Sequence, residues 1–143
     1  MSRRAVAVVV AWAMFAAIAV GACGPRPAPA PPQFLALNRP GELVDVEAAV
    51  VPGHVTIIDF RADWCGACEV VDARIRAAIT GDPRIVVRIV DVGDGATPVA
   101  AAYRIRGLPH VLVLDRAGAL RHRLVGNDAL TAGEVARALA DEP

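Results

Sequence analysis

The sequence predicts a single α/β domain, a mixed central β-sheet flanked by helices on both faces. Two β-branched, almost wholly apolar runs, "HVTIIDF" at 54–60 and "RIVVRIVDV" at 84–92, have the make-up of strands buried on both sides of a sheet. An amphipathic segment separates them, and the chain then closes with a hairpin and a helix, so the order is β-α-β-α-β-β-α. A length of 143 residues with 55% hydrophobic content suits one compact domain plus accessory segments.

The accessory segments come first. "MSRR" is a positive start, "AVAVVVAWAMFAAIAV" an apolar stretch, and "VGAC" sets small residues before a cysteine, which is the layout of an export signal over residues 1–22. The tetrapeptide resembles the lipobox of bacterial lipoprotein precursors, and that resemblance makes Cys23 the acylated first residue of the mature chain. An uncleaved anchor is the alternative, because Ala5 to Cys23 is free of charge and close to the ~20 residues that a membrane-spanning helix needs. Residues 23–33 then hold the attachment cysteine and a linker with five prolines between Pro25 and Pro32. Such a composition favours polyproline II at ~3.1 Å per residue, a stalk of roughly 2 to 3 nm.

The folded domain is expected over residues 34–143. "GELVDVEAAV" places Leu43, Val46 and Val50 at helical spacing before "PG", which predicts a short helix and a turn. The strand "HVTIIDF" follows, then the helix "CEVVDARIRAAI" stopped by "TGDP", then the strand "RIVVRIVDV". "TPVAAAYRI" predicts a second helix. "HVLVLDR" and "ALRHRLVG" predict two strands joined at "AG", and "TAGEVARALA" a closing helix with Thr131 as its N-cap.

Formal net charge is zero, and the fifteen basic residues, all arginine, are scattered. That distribution lacks the electrostatic footprint of a nucleic-acid binder. Cys65 and Cys68, in "DFRADWCGAC", stand at the start of the helix that leaves the strand "TIIDF". Exposed N–H groups and the positive end of the helix dipole favour a thiolate at Cys65, and the i, i+3 spacing sets Cys68 on the same face within reach of a disulfide. A structural zinc site would want four Cys or His ligands in closed geometry, and no second cysteine pair is present. Asp59, between Ile58 and Phe60 in a run buried on both faces, is a lone acid whose burial is costly without a role. His54 and His122 read as surface residues, and His110 as either a solvated strand start or a group that tunes the thiols.

"DFRADWCGAC" resembles the active-site segment of the thioredoxin family, and "YRIRGLPHVLVLD" its later segment, over about residues 40 to 140 in the same order. The resemblance implies the thioredoxin fold, with Cys65 as the attacking nucleophile, Cys68 as the resolving thiol and Asp59 as a buried carboxylate that moves protons for Cys68. It makes Trp64, Leu108 and Pro109 the substrate-binding surround, with Pro109 a cis-proline facing the cysteines. "ADWC" with "GLP" is also similar to the periplasmic domain of DsbD-type reductant carriers. Three positions depart from thioredoxins proper: Ala67 stands where they have proline, Arg61 where they have an aromatic, and His110 where threonine is usual. The family's lysine near Asp59 is absent, leaving Arg88 as the candidate for its place.

The expected function is therefore a thiol–disulfide oxidoreductase of the bacterial cell envelope, facing the periplasm, lipid-anchored through Cys23 and working without cofactor or metal as a monomer. Its expected partners are disulfide-containing envelope proteins, apocytochromes among them, and an upstream thiol donor. Asp59 and Leu108 resemble reducing members, which favours a reductase over an oxidant. The alternative is a binding module of the same fold that holds a partner protein or a soft metal such as copper without turnover.

Overall fold

The structure, a computed structural model, describes residues 28–143. The export signal at 1–22, the anchor cysteine Cys23 and the first part of the linker lie outside the described residues. The elements are β1 (Phe34–Ala36), β2 (Val55–Arg61), α1 (Gly66–Ile79), β3 (Ile85–Asp91), α2 (Pro98–Ala102), β4 (His110–Leu114), β5 (Leu120–Val125) and α3 (Ala132–Asp141), with 3-10 turns at Glu47–Ala49 and Gly126–Thr131. One sheet holds all five strands in the order β1-β3-β2-β4-β5.

β2 lies at the centre because its residues have no polar face to give to water: Val55, Ile57, Ile58 and Phe60 are wholly buried. It pairs in parallel with β3, Asp59 against Ile89, and antiparallel with β4, Asp59 against Val111. The β2–α1–β3 crossover accounts for the parallel pair; β4 returns antiparallel to β2 after α2, and a tight hairpin then pairs it with β5. Odd-numbered β2 residues face α1 and α3, where Val71, Ile75 and Ile79 meet Ala132, Ala136 and Leu139. Even-numbered residues face α2, where Ile58 and Phe60 join Val90, Val99, Ala100 and Leu112. The expected mixed sheet with helices on both faces is what the chain forms.

Four local features differ from expectation. The helix expected at 41–50 shrinks to the turn Glu47–Ala49. Only Val46 of its apolar stripe is buried while Leu43 is 59% exposed, and the Tyr103 hydroxyl satisfies the backbone instead, donating to Val44 O and accepting from Val46 N. The helix expected at 97–105 stops at Ala102, because Arg104 adopts φ 55° and Ile105 N returns to Ala100 O at 2.8 Å. Thr131 precedes α3 but its side chain caps nothing there; its hydroxyl donates to Asp128 O. β1, three residues long, carries too little pattern to be read from sequence and forms by pairing along the edge of β3.

α1 and α3 approach most closely at Gly133, where a Cβ would stand 2.5 Å from Ala78 Cβ and 3.3 Å from Ile75 Cα. Gly133→Ala gains helix propensity but forces the two helices apart, and overpacking of this kind costs about 1–3 kcal/mol. A lower urea midpoint at unchanged m-value is the expected result; a more stable variant would show that the helix pair can open without loss.

Candidate active site

The chain leaves β2 through Ala62, Asp63 and Trp64 and turns at once into α1. Cys65 N donates to Ala62 O at 3.0 Å, and the Trp64 indole donates to Gly93 O at 2.7 Å, tying this turn to the loop after β3. Cys65 occupies the N-cap position of α1 and its Sγ accepts from Cys68 N at 3.2 Å. The sulfur thus takes the place of a capping oxygen, and a thiolate formed there would meet the Cys68 amide and the positive end of the helix. The helix itself begins at Gly66, two residues before the amphipathic segment 68–79 read from the sequence.

Cys65 and Cys68 are joined as a disulfide, with Cα atoms 5.3 Å apart. They are not equivalent. Cys65 keeps 7% of its surface in contact with solvent and Cys68 none, so Cys65 is less exposed than its position at a helix start suggested, yet is the only one of the two with an accessible edge. Trp64 beside it is 63% exposed. The Leu108–Pro109 peptide is cis, and Pro109 O accepts from Gly126 N at 2.9 Å, which pins the start of β4 to the end of β5. Ala67, Val70, Leu108, Pro109, Asn127 and Leu130 line an apolar groove of about 300 Å³. It runs from the first turn of α1 to the proline.

Asp59 is fully buried and neither carboxylate oxygen has a hydrogen-bond partner. Burial pushes its pKa up to about 7, with Arg61 and Arg76 pulling it down and Asp72 pushing it up. Arg88 does not take the place of the missing lysine. It registers with Ile58, one residue out of phase with Asp59, so it faces the opposite side of the sheet and spends its guanidinium on the carbonyls of Ala49, Pro32 and Val87. His110 is not solvated. It registers with Phe60 and packs edge-on against that ring at 5.9 Å, and its Nε2 lies 2.6 Å from Arg123 Nη1. A guanidinium only donates, so Nε2 accepts and the ring is neutral; burial and then the Arg123 charge hold its pKa down. His122 is exposed and His54 partly so. Among the described residues no three His, Cys, Asp or Glu side chains gather into a metal-binding group.

Residues 45–138 match the thioredoxin family model. The chain belongs to the thioredoxin family. Thioredoxin from Mycoplasma pneumoniae is 36% identical over 70 residues, 49% of this chain and 67% of that one. A thiol:disulfide interchange protein TxlA homolog from Synechocystis is 27% identical over 105 residues, 70% of this chain and 58% of that one. A mutant thioredoxin from Halobacterium salinarum superposes with TM-score 0.57 at 25% identity, over 78% of this chain and 94% of that one. Thioredoxin O2 from Arabidopsis thaliana superposes with TM-score 0.60 over 76% and 96%, at 18% identity, a likeness of fold alone. With its closed dithiol pair at the head of α1, the protein is a thioredoxin-family thiol–disulfide oxidoreductase that acts on disulfide-containing substrates with thiol donors.

Of the residues singled out from sequence, Leu108 and Pro109 line the groove with Ala67, which lies between Cys65 and Cys68; Trp64 stands exposed beside Cys65, and Asp59 is on the α1 face of β2. Sequence reasoning did not find the Arg61–Asp72–Arg76 ion cluster beside Asp59 or the Arg123 guanidinium on His110. The i, i+4 spacing of Asp72 and Arg76 was a readable signal; the cross-element pairs left none.

The elevated pKa of Asp59 carries a stability signature. Its folded value of about 7 lies above the unfolded value of 3.8, so the folded state holds the extra proton between them. Stability is then full below about pH 4 and lost as pH rises through 7, by up to roughly 4 kcal/mol. Asp59→Asn removes that loss, and its unfolding free energy at pH 8 is expected to exceed that of the wild type while the two converge below about pH 4. Parallel profiles for the two proteins would mean that Asp59 is already ionised and partnered.

Proposed function

We propose that this thioredoxin-family protein is a disulfide reductase of the bacterial cell envelope, tethered to the membrane through Cys23 and a proline stalk. The observation that carries the reaction is the inequality of the two sulfurs: Cys65 has an accessible edge and Cys68 has none. With the dithiol reduced, Cys65 thiolate attacks one sulfur of a partner disulfide, forming a mixed disulfide and expelling the other partner sulfur as a thiolate. Cys68 then gives its proton to the Asp59 carboxylate and attacks Cys65 Sγ. The Cys65–Cys68 bond forms, the bond to the partner breaks, and the partner leaves as a thiolate that takes its proton from water. The partner gains two electrons and the dithiol loses two, to be restored by a thiol donor.

Asp59 favours the reducing direction. An acid buried on the α1 face, without lysine, does not stabilise a thiolate, and a dithiol whose thiolate is poorly stabilised is the stronger reductant. The groove past Pro109, apolar and open, suits an extended segment of a partner protein such as an apocytochrome. The envelope location rests on the layout of residues 1–33, and a monomer is the working state we assign.

Cys68→Ser, with Cys23 also replaced so that no other thiol confuses the result, is expected to accumulate reductant-sensitive complexes with envelope proteins on non-reducing gels. Cys65→Ser should trap almost nothing. Equal trapping by both variants would show the assigned roles to be wrong, and a wild type that fails to reduce insulin with a thiol donor would favour a binding module. An equilibrium potential near thioredoxin's ~−270 mV agrees with a reductase, whereas one near ~−120 mV contradicts it.

The tether is checked by intact mass. Protein extracted from membranes is expected to begin at Cys23 and to carry added acyl mass. A chain still bearing Met1 to Ala22 would replace the lipid anchor with an uncleaved one.

A further inference from the structure

Arg61, Asp72 and Arg76 form a partly exposed ion cluster on the face of β2 that carries Asp59. Arg61 follows Asp59 by two residues on the same strand, so both side chains leave the same face of the sheet. Within the cluster the two ion pairs differ. Arg76 Nε lies 2.8 Å from Asp72 Oδ2, a hydrogen-bonded i, i+4 pair, and its guanidinium also stacks over the Phe34 ring at 4.0 Å. Arg61 Nη1 is 3.8 Å from Asp72 Oδ1, beyond hydrogen-bonding distance. Asp72 is therefore neutralised without Arg61, while Asp59 is left with two unpartnered oxygens.

The surroundings leave Arg61 without a competing acid. On β3, Asp91 registers with Arg61 but turns Oδ1 to Gly93 N at 2.8 Å. β4 offers Asp59 only Val111, and α3 sends Glu134, Arg137 and Asp141 to solvent. From α1 come Asp72 and Arg76, while Cys68 packs with Ile58 and Phe60. Counting Arg61, Asp72 and Arg76, the groups around Asp59 carry one net positive charge, which matches the ionised carboxylate and is in excess over the protonated one.

We propose that Arg61 is the counter-ion of Asp59, a positioning residue that rests against Asp72 while Asp59 is protonated and turns onto the Asp59 carboxylate when the proton leaves. This rests on Asp59 being the proton acceptor for Cys68: only the ionised carboxylate can take that proton, and Arg61 sets the pH at which it is available. The ion pair thus supplies at β2 and α1 what a lysine on the next strand would otherwise supply, and it couples Asp59 to solvent through a partly exposed guanidinium. By charge alone Arg61 stabilises the ionised form of Asp59 and Asp72 opposes it.

The test follows the Asp59 carboxyl itself by ¹³C NMR titration of the whole chain, in both redox states, beside the pH profile of mixed-disulfide release. Arg61→Gln is expected to raise the Asp59 midpoint by about 0.5 to 1 pH unit, discounted from the larger effect of a buried opposite charge because the guanidinium is partly solvated. Asp72→Asn is expected to lower it, since it removes an opposing charge and frees Arg61, and Arg61→Lys is expected to restore most of the wild-type value. An Asp59 midpoint unmoved by Arg61→Gln, or raised by Asp72→Asn, overturns the proposal. If the NMR midpoints move in opposite directions as stated but the release profile stays put, Arg61 is the counter-ion and it is the role of Asp59 in release that falls. A misfolded Arg61→Gln is recognised by its spectrum, and Asp72→Asn, whose site is on the surface of α1, then decides alone.

Discussion

An unpartnered carboxylate at the centre of the sheet is the constraint on which the rest of the structure depends. Asp59 holds the only buried side-chain oxygens without a hydrogen-bond partner among the described residues. Burial on both faces of the strand favours the protonated form of such a group. The fold supplies the desolvation through Ile57, Val111 and the α1 face, and the same desolvation brings the group's proton affinity into the neutral range where thiols exchange. Stability given up at one residue thus places a titratable group beneath the helix that presents the dithiol.

Three stretches of chain must meet for that group to be useful. β2 delivers Asp59, the turn after it delivers Cys65 at the N-cap of α1, and the segment before β4 delivers cis Pro109. Single contacts hold each in place: the Trp64 indole on Gly93 O, Cys68 N on Cys65 Sγ, Gly126 N on Pro109 O. The linker enters at the other end. Gln33 donates to Ile79 O and Asp82 O beyond the C-terminus of α1, and Arg88 holds Pro32 O. α1 has 14 residues, so roughly 20 Å of helix separates the entry of the linker from the cysteine pair. On the tethered reading proposed above, an attachment there would leave the groove beside Pro109 open to partners.

Element order and the cysteine site were legible in the sequence because both rest on local pattern. Strands buried on both faces read as unbroken apolar runs, α1 as a 3.6-residue stripe, and the dithiol as a spacing. What failed to read was set by contacts distant along the chain. The helix expected at 41–50 yields to a Tyr103 hydroxyl more than fifty residues away, β1 exists only as an addition to β3, and α2 ends where Arg104 turns left-handed. Arg88 was a reasonable stand-in for a lysine until register put it out of phase with Asp59, since a shift of one residue along a strand exchanges the faces.

The sequence by itself determined the fold class, the identity of the two reacting sulfurs and the presence of a lone acid in a buried run, because hydrophobic periodicity and residue spacing are properties of the chain before it folds. Tertiary structure alone decided which sulfur has an edge to solvent, that His110 is neutral against Arg123, and that Arg61 shares a face with Asp59 while Asp72 is already held by Arg76. Those are matters of burial and of distance between residues on different elements, and electrostatic energies depend on both; neither quantity exists until α1 has packed against β2.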